Sequence, residues 1–198
     1  IHRDLEAALA RVCGVEDALV FVSGHATNVS LIGALMSPGD LILHDSFAHN
    51  SIFVGTQLSG ATRRSFPHDD LDALEQMLRK NRAGHSRILV VVEGLYSMDG
   101  DLCDLPRLVA LRRKYGFWLM VDEAHALGAL GSTGRGSAEH FNIDPNDVDI
   151  WMGTLSKSAA SCGGYIAGSQ ALVRPHPAQN PTQVLHVHRL AFDVRLED

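Results

Sequence analysis

The sequence predicts an α/β fold, a three-layer αβα sandwich on a mostly parallel sheet, and three observations carry the prediction. Apolar runs of strand length, among them Leu41–Leu43, Ile88–Val92 and Ile150–Gly153, alternate along the chain with stretches of helical spacing. The runs are apolar throughout, as strands are when helices cover both faces of the sheet. Polar residues suited to chemistry follow the ends of the runs, which is where ligands of such sheets bind.

Composition narrows the possibilities. A chain of 198 residues, 45% of them hydrophobic, can bury one good core and implies one domain. The net charge of −6, with no basic block behind it, argues against a nucleic-acid partner. No apolar run approaches the ~20 residues of a membrane span, and no N-terminal signal peptide is read. Cys13, Cys103 and Cys162 are scattered and lack metal-ligand spacing. They fit a reducing compartment, so a cytoplasmic location is expected.

Taken in order, Leu5, Ala8, Leu9 and Val12 stand at helical spacing within residues 1–13. Ala18–Val22 reads as a strand, and Ser23-Gly-His-Ala-Thr-Asn28 as its exit into a helix reaching Met36. Such an exit leaves unpaired N–H groups at the helix start, and these suit a phosphate. An ordinary βα turn capped by Ser23 or Asn28 fits the spacing equally well. The stretch has neither the glycine spacing nor the following lysine of a Walker loop, and no Gly-x-Gly-x-x-Gly suggests a dinucleotide. A turn at Ser37–Asp40 precedes the strand Leu41–Leu43. His49 follows, placed either to cover an aromatic ligand or to cap the next helix, which runs to about Leu58. A short strand near 62–66 and a helix over 69–82 come next, the helix with a buried stripe of Leu71, Leu74, Met77 and Leu78.

Arg87–Val92 is the clearest buried strand, and it delivers Glu93 and then Ser97. A helix over Leu105–Tyr115 leads to a strand at Phe117–Val121, ending at Asp122 with His125 three residues on. Gly128, Gly131, Gly134 and Gly136 predict a flexible loop, with Arg135 as its anchor. Ile150–Gly153 brings Lys157, and Tyr165–Gly168 forms a last strand.

Ser23, His49, Glu93, Ser97, Asp122, His125 and Lys157 thus all follow strands on one edge, more polar groups than capping requires. A lysine at the mouth of a buried strand is partly desolvated. That lowers its pKa and supplies the free amine that carbonyl chemistry needs. Pyridoxal phosphate requires such an amine, with an acid at its ring nitrogen, a donor to its ring oxygen and an anion site. Asp122 suits the first of these partners and His125 the second, while Lys157 suits the Schiff base and later acid/base work.

The stretches Gly153-Thr-Leu-Ser-Lys157, Val121-Asp-Glu-Ala-His125 and Asp45-Ser-Phe-Ala-His49 resemble those of fold-type I pyridoxal-phosphate enzymes. Gly131-Ser-Thr-Gly-Arg-Gly136 and Gly163-Gly-Tyr-Ile-Ala-Gly168 favour their α-oxoamine synthase branch over the aminotransferases. That branch includes 8-amino-7-oxononanoate synthase, glycine C-acetyltransferase, 5-aminolevulinate synthase and serine palmitoyltransferase. The resemblance covers roughly residues 1–173, which it implies are the large domain of that fold. By this likeness Lys157 carries the cofactor, Thr154 binds its phosphate, Asp122 holds the pyridine nitrogen and His125 the ring oxygen. His49 matches the histidine stacked on the ring, Ser97 a ring-contacting serine, and Gly24, His25 and Ala26 the backbone phosphate loop. His25 stands where an aromatic or small residue is commoner. Glu93 heads the Ser97 stretch and joins the cofactor-binding set.

The resemblance implies condensation of an amino acid with an acyl thioester, losing carbon dioxide, at a site on a homodimer interface. In the family, the last strand is followed by a long helix and a small C-terminal domain that supplies the arginine for the substrate carboxylate. Here 174–198 is a divergent tail in which Pro175, Pro177 and Pro181 forbid a continuous helix. His176, His186 and His188 lack acid or cysteine partners, so no metal is expected. The expectation is a large domain, incomplete at its N-terminus, with the small domain absent. Two alternatives stay open: an aminotransferase or lyase on the same fold, and a cofactor-binding fragment or non-catalytic partner subunit.

Overall fold

The computed structural model describes residues 2–174. Seven strands form one sheet: β1 (Asp17–Phe21), β2 (Leu41–Asp45), β3 (Thr62–Phe66), β4 (Ile88–Glu93), β5 (Trp118–Asp122), β6 (Ile150–Thr154) and β7 (Gly164–Gly168). Their order across the sheet is β1-β7-β6-β5-β4-β2-β3. Every neighbouring pair is parallel except those made by β7, which runs antiparallel to both β1 and β6. The other six strands therefore share one direction, and their carboxyl ends share one edge.

Helices cover both faces. On one face lie α1 (His2–Cys13), α4 (Leu71–Asn81) and α5 (Leu105–Tyr115), whose Leu9, Leu74, Leu78, Leu105 and Leu108 pack with Leu41, Leu43, Val90 and Leu119 of the sheet. On the other, α2 (Gly24–Leu35), α3 (Asn50–Ser59) and α7 (Gln170–Val173) set Leu31, Ile32, Ile52 and Val173 against Ile42, Leu89, Val91 and Met120. Successive residues of each strand feed alternate cores, which is why the strands read as unbroken apolar runs. All six residues of β4 are buried. At roughly 1.5–3 kcal/mol for each buried aliphatic side chain, this strand is the best-anchored in the sheet.

The three-layer αβα sandwich read from the sequence is the one found. Boundaries moved where caps decide them. The helix expected from Asp69 begins at Leu71, because the Asp70 carboxylate accepts the amide of Ala73. Asp69 instead turns the chain at φ 54°. The glycine loop contains a helix the sequence did not suggest, α6 (Ser137–Phe141). Nor is Arg135 its anchor. The carboxylate of Glu139 gathers the amides of Thr133 and Arg135 and the hydroxyls of Ser132 and Thr133. The segment with Pro175, Pro177, Pro181, His176, His186 and His188 lies outside the described residues.

Candidate active site

Parallel register places the site. Glu93 and Asp122 end adjacent strands and are paired in register, and Asp122 faces Met152 of β6. From β6 the chain passes Thr154 and reaches Lys157 in an exposed turn. From β1 it enters α2 through Ser23, whose hydroxyl caps the helix by accepting the amide of Ala26. From β2 it reaches His49, which caps α3. Gly24 is required here. A Cβ on it would come within 2.9 Å of the Cβ and Oγ1 of Thr154.

One cavity of about 270 Å³ collects these groups. Gly24, His25, His49, Glu93, Asp122, His125, Thr154 and Lys157 all line it, with Ser23 at its rim. Ala26 and Ser97 do not. Ala26 turns its amide to the Ser23 cap. The loop after β4 closes on itself through a Leu95–Leu102 bridge and a bond from Tyr96 N–H to the Asp101 carbonyl. That closure sends Ser97 into a separate cavity of about 330 Å³, with Phe47, Tyr96 and Met98.

Lys157 Nζ lies 2.7 Å from His125 Nε2. Desolvation lowers the pKa of Lys157, against the opposing charges of Asp122 and Glu93. Desolvation, then the Lys157 charge, lowers that of His125. Burial, reinforced by the Asp122 carboxylate, pushes Glu93 up to about 7 although the His49 amide donates to it at 2.6 Å. Asp122, 4% exposed, accepts from the Asn28 amide at 2.9 Å and from the Ala124 N–H at 2.9 Å. Thr154 Oγ1 lies 2.8 Å from Ser156 Oγ. The first two amides of α2, those of Gly24 and His25, have no partner inside the helix.

Sequence reasoning missed Asn28 as a site residue, as well as Ser51 and Ser156, which also line the cavity. The signal for Asn28 was present: it stands one helical turn after Gly24, on the same face. It also missed Glu123, buried beneath the site, which accepts from both the amide and the hydroxyl of Ser137. Among the described residues, no cluster of histidine, cysteine and acidic side chains could hold a metal ion.

Residues 1–178 match the model of the family "aminotransferase class I and II". The chain belongs to that family. Within it, the α-oxoamine synthase likeness holds. The chain is 44% identical over 186 residues to serine palmitoyltransferase 2 of Caenorhabditis elegans, a match covering 90% of this chain and 33% of that protein. The solved serine palmitoyltransferase of Sphingomonas wittichii superposes with a TM-score of 0.81 at 34% identity, covering 96% of this chain and 51% of that one. A serine palmitoyltransferase variant from S. paucimobilis, solved with bound PLP–myriocin aldimine, gives 0.80 at 30% identity, covering 97% and 53%. The chain thus spans about a third of the curated relative it matches and about half of these solved chains. As in the sequence reading, this aminotransferase-family chain has its lysine, acid and histidine on one edge, and they share one cavity.

Proposed function

We propose that the cavity holds pyridoxal phosphate and that the chain is the cofactor-binding part of an α-oxoamine synthase. The enzyme would condense an amino acid with an acyl thioester, releasing carbon dioxide and the thiol. The relatives' names favour serine and a palmitoyl thioester as the substrates. The observation that carries the reading is the convergence of Lys157, His125 and Asp122 in one 270 Å³ cavity beside the open start of α2.

The residues fit the cofactor. Asp122 is a buried carboxylate with two donors among the described residues, and it has lone pairs left for a third. Gly24 leaves the space that a side chain would take against Thr154, and the Gly24 and His25 amides lie open to an anion. When bound, pyridoxal phosphate supplies an electron sink for negative charge at the substrate α-carbon. Asp122 would hold a proton at the ring nitrogen, and Thr154 with the two amides would hold the phosphate. His125 accepts from Lys157 Nζ and so keeps the amine close, while the lowered pKa of Lys157 raises its neutral fraction. Once free, that amine takes and returns a proton at the α-carbon. His49, whose ring stands edge-on to His25 with centroids 6.4 Å apart, covers the cavity.

A homodimer is part of this proposal. Phe47, 55% exposed, and Met98, 89% exposed, leave apolar surface at the edge that bears the cavity. So is a reducing, cytoplasmic compartment, for Cys13, Cys103 and Cys162 are all free thiols. Among the described residues, no helix is long and apolar enough to cross a membrane.

The test is absorbance of the purified chain with added pyridoxal phosphate, beside Lys157→Ala. A visible band that is lost in the variant, with borohydride fixing the cofactor to Lys157, is the expected result. A folded wild-type chain without the band would overturn the reading.

A further inference from the structure

Asn28 is 1% exposed, and its amide nitrogen has two partners, Asp122 Oδ2 and Ser51 Oγ, each at 2.9 Å. An ionised carboxylate has no hydrogen to give, so Nδ2 donates to Asp122 and directs its second hydrogen at Ser51. Ser51 Oγ in turn lies 2.7 Å from His49 Nδ1, and the backbone N–H of Ser51 reaches the same nitrogen at 3.2 Å. A backbone N–H can only donate. His49 Nδ1 is therefore an acceptor without a proton, and the Ser51 hydroxyl donates to it as well. The Ser51 backbone N–H thus fixes Nδ1 as an acceptor, and the Asn28 amide, by donating to Ser51 Oγ, turns the Ser51 hydroxyl hydrogen toward the same nitrogen.

Asn28 Oδ1 is buried without a partner among the described residues. An unsatisfied buried acceptor is destabilising. Turning the amide over would set Oδ1 against the Asp122 carboxylate, which has no hydrogen to give it, and would take from Asp122 one of its donors. The demand of that carboxylate fixes the amide, and the amide fixes Ser51.

We propose that Asn28 is a positioning residue with two outputs: it holds the Asp122 carboxylate in place, and through Ser51 it holds His49 as the neutral tautomer protonated on Nε2. The inference rests on the reading of the cavity as a pyridoxal-phosphate site and deepens it. One amide joins the group at the ring nitrogen to the histidine that covers the ring.

The tautomer can be read without cofactor. Long-range proton–nitrogen correlation spectra of the 15N-histidine-labelled chain separate protonated from unprotonated ring nitrogens, and His49→Gln identifies the His49 signals. Wild type is expected to show His49 with Nδ1 bare and Nε2 protonated. Ser51→Ala removes the 2.7 Å hydroxyl bond, and Asn28→Leu frees that hydroxyl to turn away. Each is therefore expected to raise the Nδ1-protonated fraction, with the 3.2 Å Ser51 N–H still favouring a bare Nδ1. Asn28→Leu alone is expected to weaken pyridoxal-phosphate binding, by about tenfold or more, since it removes a donor to a buried charge.

Wild-type His49 protonated on Nδ1 would overturn the proposal even if Asn28→Leu failed to fold. So would a folded Asn28→Leu with unchanged His49 signals and unchanged cofactor affinity. If wild type binds no pyridoxal phosphate yet its tautomer responds to Ser51→Ala, the hydrogen-bond chain stands and the functional reading fails instead.

Discussion

The amine of Lys157 donates to Nε2 of His125 across 2.7 Å, although both groups can carry positive charge. With Lys157 as the ammonium, the contact requires a neutral His125 with its proton on Nδ1, and the fall in the His125 pKa agrees with that. Glu93 and Asp122 are the charges that hold the ammonium form of Lys157 in place. Removing one should lower the lysine pKa further. Glu93→Gln, which keeps an acceptor for the His49 amide, is expected to make Lys157 react with an amine-acylating reagent at lower pH than in wild type. Mass-spectrometric labelling against pH checks this. An unchanged or higher midpoint would refute it.

Glu123 predicts a pH-dependent stability of definite sign. Burial raises its carboxyl pKa to about 7, against the lowering effect of the Ser137 amide and hydroxyl. The folded chain therefore holds this proton more tightly than the unfolded one. The resulting stability is fully present below the ordinary carboxylate range and is lost as pH rises through about 7. Glu123→Gln, which can still accept from the Ser137 amide, removes that loss. In urea denaturation the variant should match wild type near pH 5 and exceed it by about 1–3 kcal/mol at pH 8.

Gly153 tests why the lysine motif opens with glycine. A Cβ there would lie 2.4–2.5 Å from ring atoms of the buried Tyr165. Overpacking should make Gly153→Ala less stable by about 1–3 kcal/mol. Tyr165→Leu, which opens space at the same point, is itself destabilising. The double variant should be more stable than the sum of the two effects predicts, and thermal melts of all four proteins measure the difference.

Arg174 is the last described residue, and its guanidinium binds Glu6, Asp17 and the Ala18 carbonyl. Glu6 is 4% exposed, so Arg174→Ala leaves a buried carboxylate without its cation. A loss of about 2–3 kcal/mol is expected. Arg113 pairs with Asp147 from a side chain that is 65% exposed, and Arg113→Ala should leave the denaturation midpoint unchanged within error. Equal effects of the two substitutions would contradict this account.

What could be read from the chain alone was local. Lys157, Asp122 and His125 announced themselves because each follows an apolar run within a few residues. The parallel sheet makes every such run point the same way, so spacing along the chain became proximity in space. The partner of Asp122 was hidden for the opposite reason: Asn28 is 94 residues away and looked like a helix cap. Ser97 was misplaced because a loop, unlike a strand end, can fold back, and this one does so through Leu95 and Leu102. Helix α6 escaped because its five residues follow four glycines and show no period. Glu139, not Arg135, holds that loop, since a carboxylate can gather backbone N–H groups that a guanidinium cannot.

Among the described residues β1 lies at the edge of the sheet, and its sole strand neighbour is β7, with Asp17 opposite Gly168. During synthesis the turn at Ser23 and Gly24 leaves the ribosome about 140 residues before the strand that anchors it. At ordinary elongation rates that is a delay of roughly 10–30 s. The anion-facing turn is therefore finished late relative to its own residues: until residue 168 has emerged, residues 17–35 have a helix and a cap but no sheet to belong to.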